Sequence, residues 1–219
     1  VRLENYFPGV GVLSAGAFRR DFENFFAQNN AAATPEFLAL YGLDRETYEP
    51  YYVATNYNVP GLVRMEGVEF DYKQVLTFLP QWARGVQVFV NGSAQRVLGD
   101  ETISFAGFVP RSGSWGVSLT RPRYNVRVNW NYRGLARNNR VNGASIEPGT
   151  FNWTSKRLYV DVVGEVLLRG RISLFYNFRN IGDATEDVKI YGPSTPSVAR
   201  FRQRVDYASL WTVGLKGTF

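Results

Sequence analysis

The chain has 219 residues, 45% of them hydrophobic and 16% aromatic, which excludes a disordered chain and suffices for one or two domains. It contains no Cys, so disulfide frameworks and thiolate metal sites are excluded, and no His, which removes the commonest general base and the usual zinc ligand. The net charge of +6 comes mainly from Arg, with only four Lys, and the Arg are scattered rather than massed, which speaks against nucleic acid as a partner.

In chain order, Arg2–Phe7 reads as the tail of a strand, "PGVG" as a tight turn, and "GVLSAGAFRRDFENFF" as an extended segment with ambiguous faces. Residues 25–60 form a long connection. Within it Thr34 followed by Pro35 and Glu36 reads as a helix cap and first turn, Gly42 as a stop, and Asp44–Tyr48 as a second short helix. Tyr48, Tyr51, Tyr52 and Tyr57 on this connection offer a stacking surface for a ligand, or else pack the loop onto its support.

Beyond it the sequence alternates. Val68, Phe70, Tyr72, Leu76 and Phe78 oppose Glu69, Asp71, Lys73 and Thr77, and after the "LPQWARG" turn Val86, Val88 and Val90 oppose Gln87 and Asn91. A long connection near 100–112 follows. Trp115, Val117 and Leu119 then oppose Ser114, Gly116 and Ser118, and "RPR" forms the next turn. The clearest strand is "YNVRVNWNYR", with Tyr124, Val126, Val128, Trp130 and Tyr132 in one file and Asn125, Arg127, Asn129, Asn131 and Arg133 in the other. Arg133, Arg137 and Arg140 crowd its far end, where bidentate pairing with carboxylate or phosphate suits an anionic chelate or lipopolysaccharide, and a solvated rim is the plain alternative.

After a long connection over 137–153, Leu158, Val160, Val162, Val166 and Leu168 oppose Tyr159, Asp161, Val163 and Glu165. A Gly170 turn leads to Ile172, Leu174, Tyr176 and Phe178 against Arg171, Ser173, Asn177 and Arg179, with Phe175 the exception. A last long connection, 182–202, precedes a strand in which Val205, Tyr207, Trp211, Val213, Leu215 and Phe219 oppose Arg204, Asp206, Thr212, Lys216 and Thr218. Period two in at least seven segments predicts antiparallel sheet.

Alternation does not say which file is inside. A soluble barrel with a lipophile inside would turn Trp130, Val160 and Leu174 inward, whereas an outer-membrane barrel shows the apolar file to lipid and lines a wet lumen with the polar one. Strands of about ten residues suit a tilted membrane strand. Aromatics near strand ends (Tyr6, Phe7, Tyr57, Phe78, Trp82, Tyr124, Trp153, Phe219) suit interfacial girdles, and long connections alternating with short ones suit a barrel with unlike rims. No run reaches the roughly 18 apolar residues of a membrane helix. Glu69 and Asp71 share a face two residues apart, but Lys73 beside them makes a lumen charge network a simpler reading than acid–base catalysis, and no enzyme activity is expected.

Several stretches resemble the late barrel strands of TonB-dependent outer-membrane receptors. These are a "GVE-dY" strand (Gly67–Tyr72), an "LP--GV" turn (Leu79–Val86), a "G-P-hS" strand start (Gly107–Ser112), an "-N--d" segment (Asn180–Asp183) and a terminal Phe219, in the family's order. The resemblance implies an all-β, antiparallel transmembrane barrel segment of about eight strands plus part of another, residues 1–219 forming the C-terminal part of a receptor barrel. The family's plug domain and first barrel strands are not seen in it. It implies TonB-energised uptake of a ferric siderophore, vitamin B12 or an oligosaccharide across a bacterial outer membrane. Exterior loops with Tyr51, Tyr52, Tyr57, Arg137, Arg140 and Trp153 would capture the ligand, with no cofactor or metal. Thr212, Gly214 and Phe219 match the signal read by the barrel-assembly machinery, with Gly217 standing where a hydrophobic residue is expected. The implied partners are outer-membrane lipid and lipopolysaccharide, that machinery, and the TonB complex acting through the plug. A complete small barrel with an adhesive or structural role is the alternative.

Overall fold

A computed structural model describes residues 1–9, 11–58, 61–99, 108–141 and 145–217, without the side chains of 27–31. Fifteen strands are formed among these residues: β1 (Arg2–Phe7), β2 (Gly11–Phe22), β3 (Phe26–Ala32), β4 (Tyr52–Asn58), β5 (Val63–Val75), β6 (Val86–Leu98), β7 (Arg111–Thr120), β8 (Tyr124–Arg133), β9 (Ala136–Arg140), β10 (Phe151–Thr154), β11 (Arg157–Arg169), β12 (Ile172–Arg179), β13 (Glu186–Tyr191), β14 (Phe201–Val205) and β15 (Leu210–Gly217). Nine of them build one antiparallel meander in the order β1-β2-β5-β6-β7-β8-β11-β12-β15. The seven alternating segments, the segment of ambiguous faces and the Arg2–Phe7 piece together account for this sheet. The strand of ambiguous faces is β2, whose register places Leu13 opposite Tyr72 and Ser14 opposite Asp71.

Directly opposed residues on antiparallel strands point to the same face, so the registers decide whether the apolar files coincide. They do. Val88, Val117, Val128, Val162, Phe178 and Trp211 stand opposite one another in succession across six strands. Tyr72, Val90, Trp115, Trp130 and Val160 form a second row. The other face carries Ser14, Asp71, Asn91, Ser114 and Asn131 in one row.

The apolar face is not covered. Val68 is 56% exposed, Ile172 51%, Trp211 70% and Leu215 69%, and Val128, Trp130, Val160 and Leu174 are none of them buried. The buried residues of the sheet's other face are Ser14, Ser173 and Gly116 along its body and Val63 at its loop end. Side chains there bond to each other. Ser114 donates to Asn131 (2.9 Å), Asn131 donates to Asp161 (3.2 Å), Ser93 and Ser112 share a bond of 2.9 Å, and Lys216 pairs with Glu165 at 2.9 Å. The only large, fully buried side chains among the described residues are Leu38 and Val63, and the apolar packing around Val63 (Phe22, Phe25, Tyr57, Val97) sits at the loop end of the sheet. The chain exposes 14807 Å², whereas a folded globular protein of 24.8 kDa exposes about 10,200 Å².

Apolar rings that do lie on the polar face are seated on glycine. Phe175 lies over Gly214 across the β12–β15 pair, where an added Cβ would stand 2.6 Å from the ring, and Phe89 lies over Gly116 at 2.5 Å. Phe175, out of place in the alternation, thus has a cross-strand glycine made for it. Arg127 covers the Phe89 ring at 5.0 Å.

The meander puts every long connection at one end. Those after β2, β6, β8 and β12 are long, and those after β1, β5, β7 and β11 are short. The first long one holds a hairpin, β3 with β4, and two short helices, α1 (Pro35–Leu40) and α2 (Arg45–Tyr48). Thr34 caps α1 by accepting from the Phe37 N–H (3.2 Å), Asp44 caps α2 by accepting from Thr47 (2.8 Å), and Gly42 takes the left-handed conformation (φ 64°) between them. The capping and stop residues foresaw these helices but not the hairpin around them. The last two long connections, expected as loops, instead form a second sheet in the order β14-β13-β10-β9. The terminal strand expected from Arg204 onward is divided: Arg204 and Val205 end β14 in this second sheet, the chain turns at Ala208 (φ 51°), and the meander is rejoined only from Leu210. At both outer edges the nine-stranded sheet is open: β1 and β15 make no ladder with each other among the described residues.

The glycine seats make a test. Gly214→Ala should destabilise the sheet by ~1–3 kcal/mol, and Phe175→Leu in the same chain should restore most of that loss, since the ring alone obstructs the new methyl. Gly116→Ala should resist rescue by Phe89→Leu, because the Val128 carbonyl oxygen also stands 2.5 Å from the new Cβ. Denaturant unfolding of the four variants measures both.

Candidate functional site

The second sheet grows out of the first. β8 runs on through Gly134 into β9, and β10 runs into β11, so β9 and β10 extend the β8–β11 pair past the main sheet. The step on the other side is made by Asn180, buried and in the left-handed conformation (φ 51°), which Asn tolerates. Its N–H donates to Asp161 (2.9 Å), and its amide donates to the Ala184 and Ala208 carbonyls (both 3.1 Å). Its side-chain oxygen accepts from the Ala184 N–H (2.9 Å), and its carbonyl accepts from Ser209 (2.7 Å). One residue of the Asn180–Asp183 segment therefore ties β11, β12 and the approach to β15 together. An ion pair between Arg157 and Glu186, both largely buried, closes the joint between the sheets.

Within this sheet the register decides the site. Trp153 stands opposite Arg137 and Phe151 opposite Arg140, so two steps on β10 match three on β9. The extra residue is a β-bulge, and it brings Arg137 and Arg140, three apart in sequence, onto one face. Phe151 is also opposite Tyr191 on β13. The Trp153 and Tyr191 rings stack at 4.8 Å and 5°, Arg137 lies 4.5 Å over Phe151, and Arg200 lies 4.6 Å over Tyr191. Arg200 is held by its own Nε donating to the Thr195 carbonyl (3.0 Å).

These groups line a cavity of about 610 Å³, closed at its edge by Pro148, Gly149, Gly192 and Pro193. Its charged lining is three Arg and no carboxylate. The nearest acid, Glu147, is occupied with the Ser194 N–H at 3.0 and 3.1 Å. Two buried donors, Arg140 Nε and Trp153 Nε1, have no acceptor. Burial pushes the Tyr191 phenol above its ordinary pKa, so it stays neutral and a donor. An arrangement of cations, stacked rings and unpaired N–H donors suits an oxyanion carried on a flat group.

Of the residues expected to bind ligand, Arg137, Arg140 and Trp153 come together here. Tyr51, Tyr52 and Tyr57 do not line the cavity. Tyr51 and Tyr52 are exposed beside α2, Tyr51 with its ring 6.0 Å from Tyr48, and Tyr57 packs against Val63 at the hairpin base, the plainer reading of that residue. Tyr57 and Trp153, expected in an interfacial girdle, belong to these loop-end structures instead. Phe151, Tyr191 and Arg200 were not anticipated. The alternation of Val188 and Ile190 with Asp187, Lys189 and Tyr191 was the available signal for β13. Of the expected assembly-signal residues, Thr212 stands on the exposed edge strand opposite Asn177, Gly214 seats Phe175, and Phe219 lies outside the described residues.

No family model matches the chain, and neither a curated protein nor a solved structure is significantly similar to it.

Arg204 grips Asp187 with two hydrogen bonds (2.7 and 3.1 Å) across the β13–β14 pair and holds its carboxyl below the ordinary carboxylate range. The pair's stabilisation is therefore complete above the ordinary Asp pKa of ~4 and is lost as pH falls through the lowered value. Amide exchange at Val188 and Gln203, compared between parent and Asp187→Asn at matched pH, should show extra protection in the parent at pH 6 that vanishes toward pH 2.

Proposed function

We propose that this chain is wall and exterior rim of an outer-membrane β-barrel of the TonB-dependent receptor kind, serving energised uptake of a scarce anionic ligand. The observation that carries the reading is the uncovered apolar face running over the meander opposite a hydrogen-bonded polar face. Water is a poor solvent for the first and hydrocarbon for the second, so a barrel wall between lipid and a wet lumen satisfies both. The apolar band gives way toward the long connections to ion-paired side chains, Asp21 with Arg19 (2.7 Å) and Arg64 (2.8 Å), and Glu66 with Arg96 (2.5 Å), as a lipid-facing surface would where it meets headgroups and lipopolysaccharide. The open edges favour a share of a larger barrel over a complete small barrel with an adhesive role, since unpaired strand edges are costly in lipid. In this reading the polar face meets a plug, through which the TonB complex acts, the edge strand β15 is presented to the barrel-assembly machinery, and the arginine-lined cavity receives the ligand. Its charge favours a ferric siderophore with acidic groups over vitamin B12 or a neutral oligosaccharide.

Single cysteines, absent from these 219 residues, can be placed and spin-labelled in the protein reconstituted in vesicles. Labels at Val128 and Val213 should be accessible to oxygen dissolved in lipid, and labels at Ser114 and Asn131 to a water-soluble nickel chelate. The opposite pattern, or Val128 shielded from both, would overturn the membrane reading.

For the cavity, equilibrium binding of a ferric tris-catecholate should weaken roughly tenfold or more in Arg140→Gln, while any binding of a neutral oligosaccharide stays unchanged. Equal affinity in parent and variant would remove the cavity from the uptake path.

A further inference from the structure

The end of the sheet opposite the cavity has a chemistry of its own. Its short connections, residues 76–85, 121–123 and 170–171, with the strand ends beside them, carry Arg84, Arg121, Arg123, Arg169 and Arg171 and no acidic residue at all. Eight cations elsewhere in the protein are neutralised. Arg2, Arg19, Arg45, Arg64, Arg96, Arg157, Arg204 and Lys216 are all in ion pairs, whereas among the described residues no carboxylate pairs with any of these five Arg. Arg84, Arg123, Arg169 and Arg171 are exposed.

The turns are fastened into a continuous rim. Arg121 donates to the Gln81 carbonyl (2.9 Å) and to the carbonyl of Trp82, joining the β5–β6 turn to the β7–β8 turn. The Leu167 N–H donates to the Arg123 carbonyl (2.7 Å), joining that turn to the β11–β12 hairpin. Large apolar groups stand out from the same rim, Trp82 at 80% and Phe78 at 76% exposure, with Leu168 and Ile172 leading into the apolar face of the sheet.

We propose that this rim is a docking collar for anionic phospholipid: the four exposed guanidiniums bind headgroup phosphates while Trp82 and Phe78 lie at headgroup depth. The inference rests on the membrane reading above. Continuity with the apolar face favours lipid over an acidic protein, because one surface then enters the bilayer and its headgroup layer together. The amphipathic Trp ring is suited to that layer, and each Arg adds to the attraction toward an anionic surface, less as salt rises.

Spin-labelled lipids measure the preference directly. In vesicles of phosphatidylcholine with minor phosphatidylglycerol, the protein's immobilised lipid shell should favour the glycerol lipid about fivefold at low salt, and the preference should collapse in concentrated salt. The quadruple variant Arg84→Gln, Arg123→Gln, Arg169→Gln, Arg171→Gln should lose it while keeping the oxygen and nickel accessibility pattern. Arg121 is left in place because it braces the rim, and the double variant Arg123→Gln, Arg171→Gln, expected to lose about half the preference, serves if the quadruple variant does not fold. No preference in the parent, or an undiminished one in a folded variant, overturns the collar. A lost accessibility pattern in the parent would overturn the membrane reading instead.

Discussion

Everything in this molecule follows from a sheet on whose apolar face none of the described residues packs as a second layer. In a water-soluble protein the rows through Val128 and Trp130 would be the core, and a second layer would cover them. Here the sheltered side of the sheet is mainly polar, with Ser14 and Ser173 among its buried residues, and the large fully buried apolar side chains among the described residues, Val63 and Leu38, lie at the loop end. Ladder hydrogen bonds and the polar-face network hold the strands of the meander to one another, and apolar burial adds to them around Val63.

The polar face shows how a sheet inverted in this way is kept in order. Hydroxyl, amide and carboxylate groups link neighbouring strands through Ser114, Asn131 and Asp161, and Asp161 then fixes the Asn180 backbone. Where a ring intrudes on that face, a glycine opposite takes it in, as Gly116 does for Phe89 and Gly214 for Phe175. These seats pin the register, because a one-residue slip would place each ring against a side chain and send every apolar group to the wrong face.

The two ends of the sheet divide the chemistry. At one, the β9–β10 and β13–β14 pairs rise beyond the main sheet and set three Arg around a stacked Trp153–Tyr191 pair, with the nearest acid already engaged. At the other, tight turns braced by Arg121 leave four guanidiniums unneutralised beside exposed Trp82 and Phe78. Both surfaces present positive charge, but the first is a concave recess and the second an open edge.

By itself the sequence determined the main sheet: period two is a property of each strand alone, so the two files, the nine strands and the alternation of long and short connections were all legible, as were the caps at Thr34 and Asp44. It did not determine which face would be covered, because alternation is symmetric until packing breaks the symmetry. Nor did it reveal the second sheet, whose strands of four to six residues are too short to establish a period and pair across intervening chain. The meeting of Arg137 with Arg140 was decided by tertiary structure alone. Three residues of spacing puts two side chains on opposite faces of a regular strand, and only a bulge set by the pairing with β10 turns them the same way.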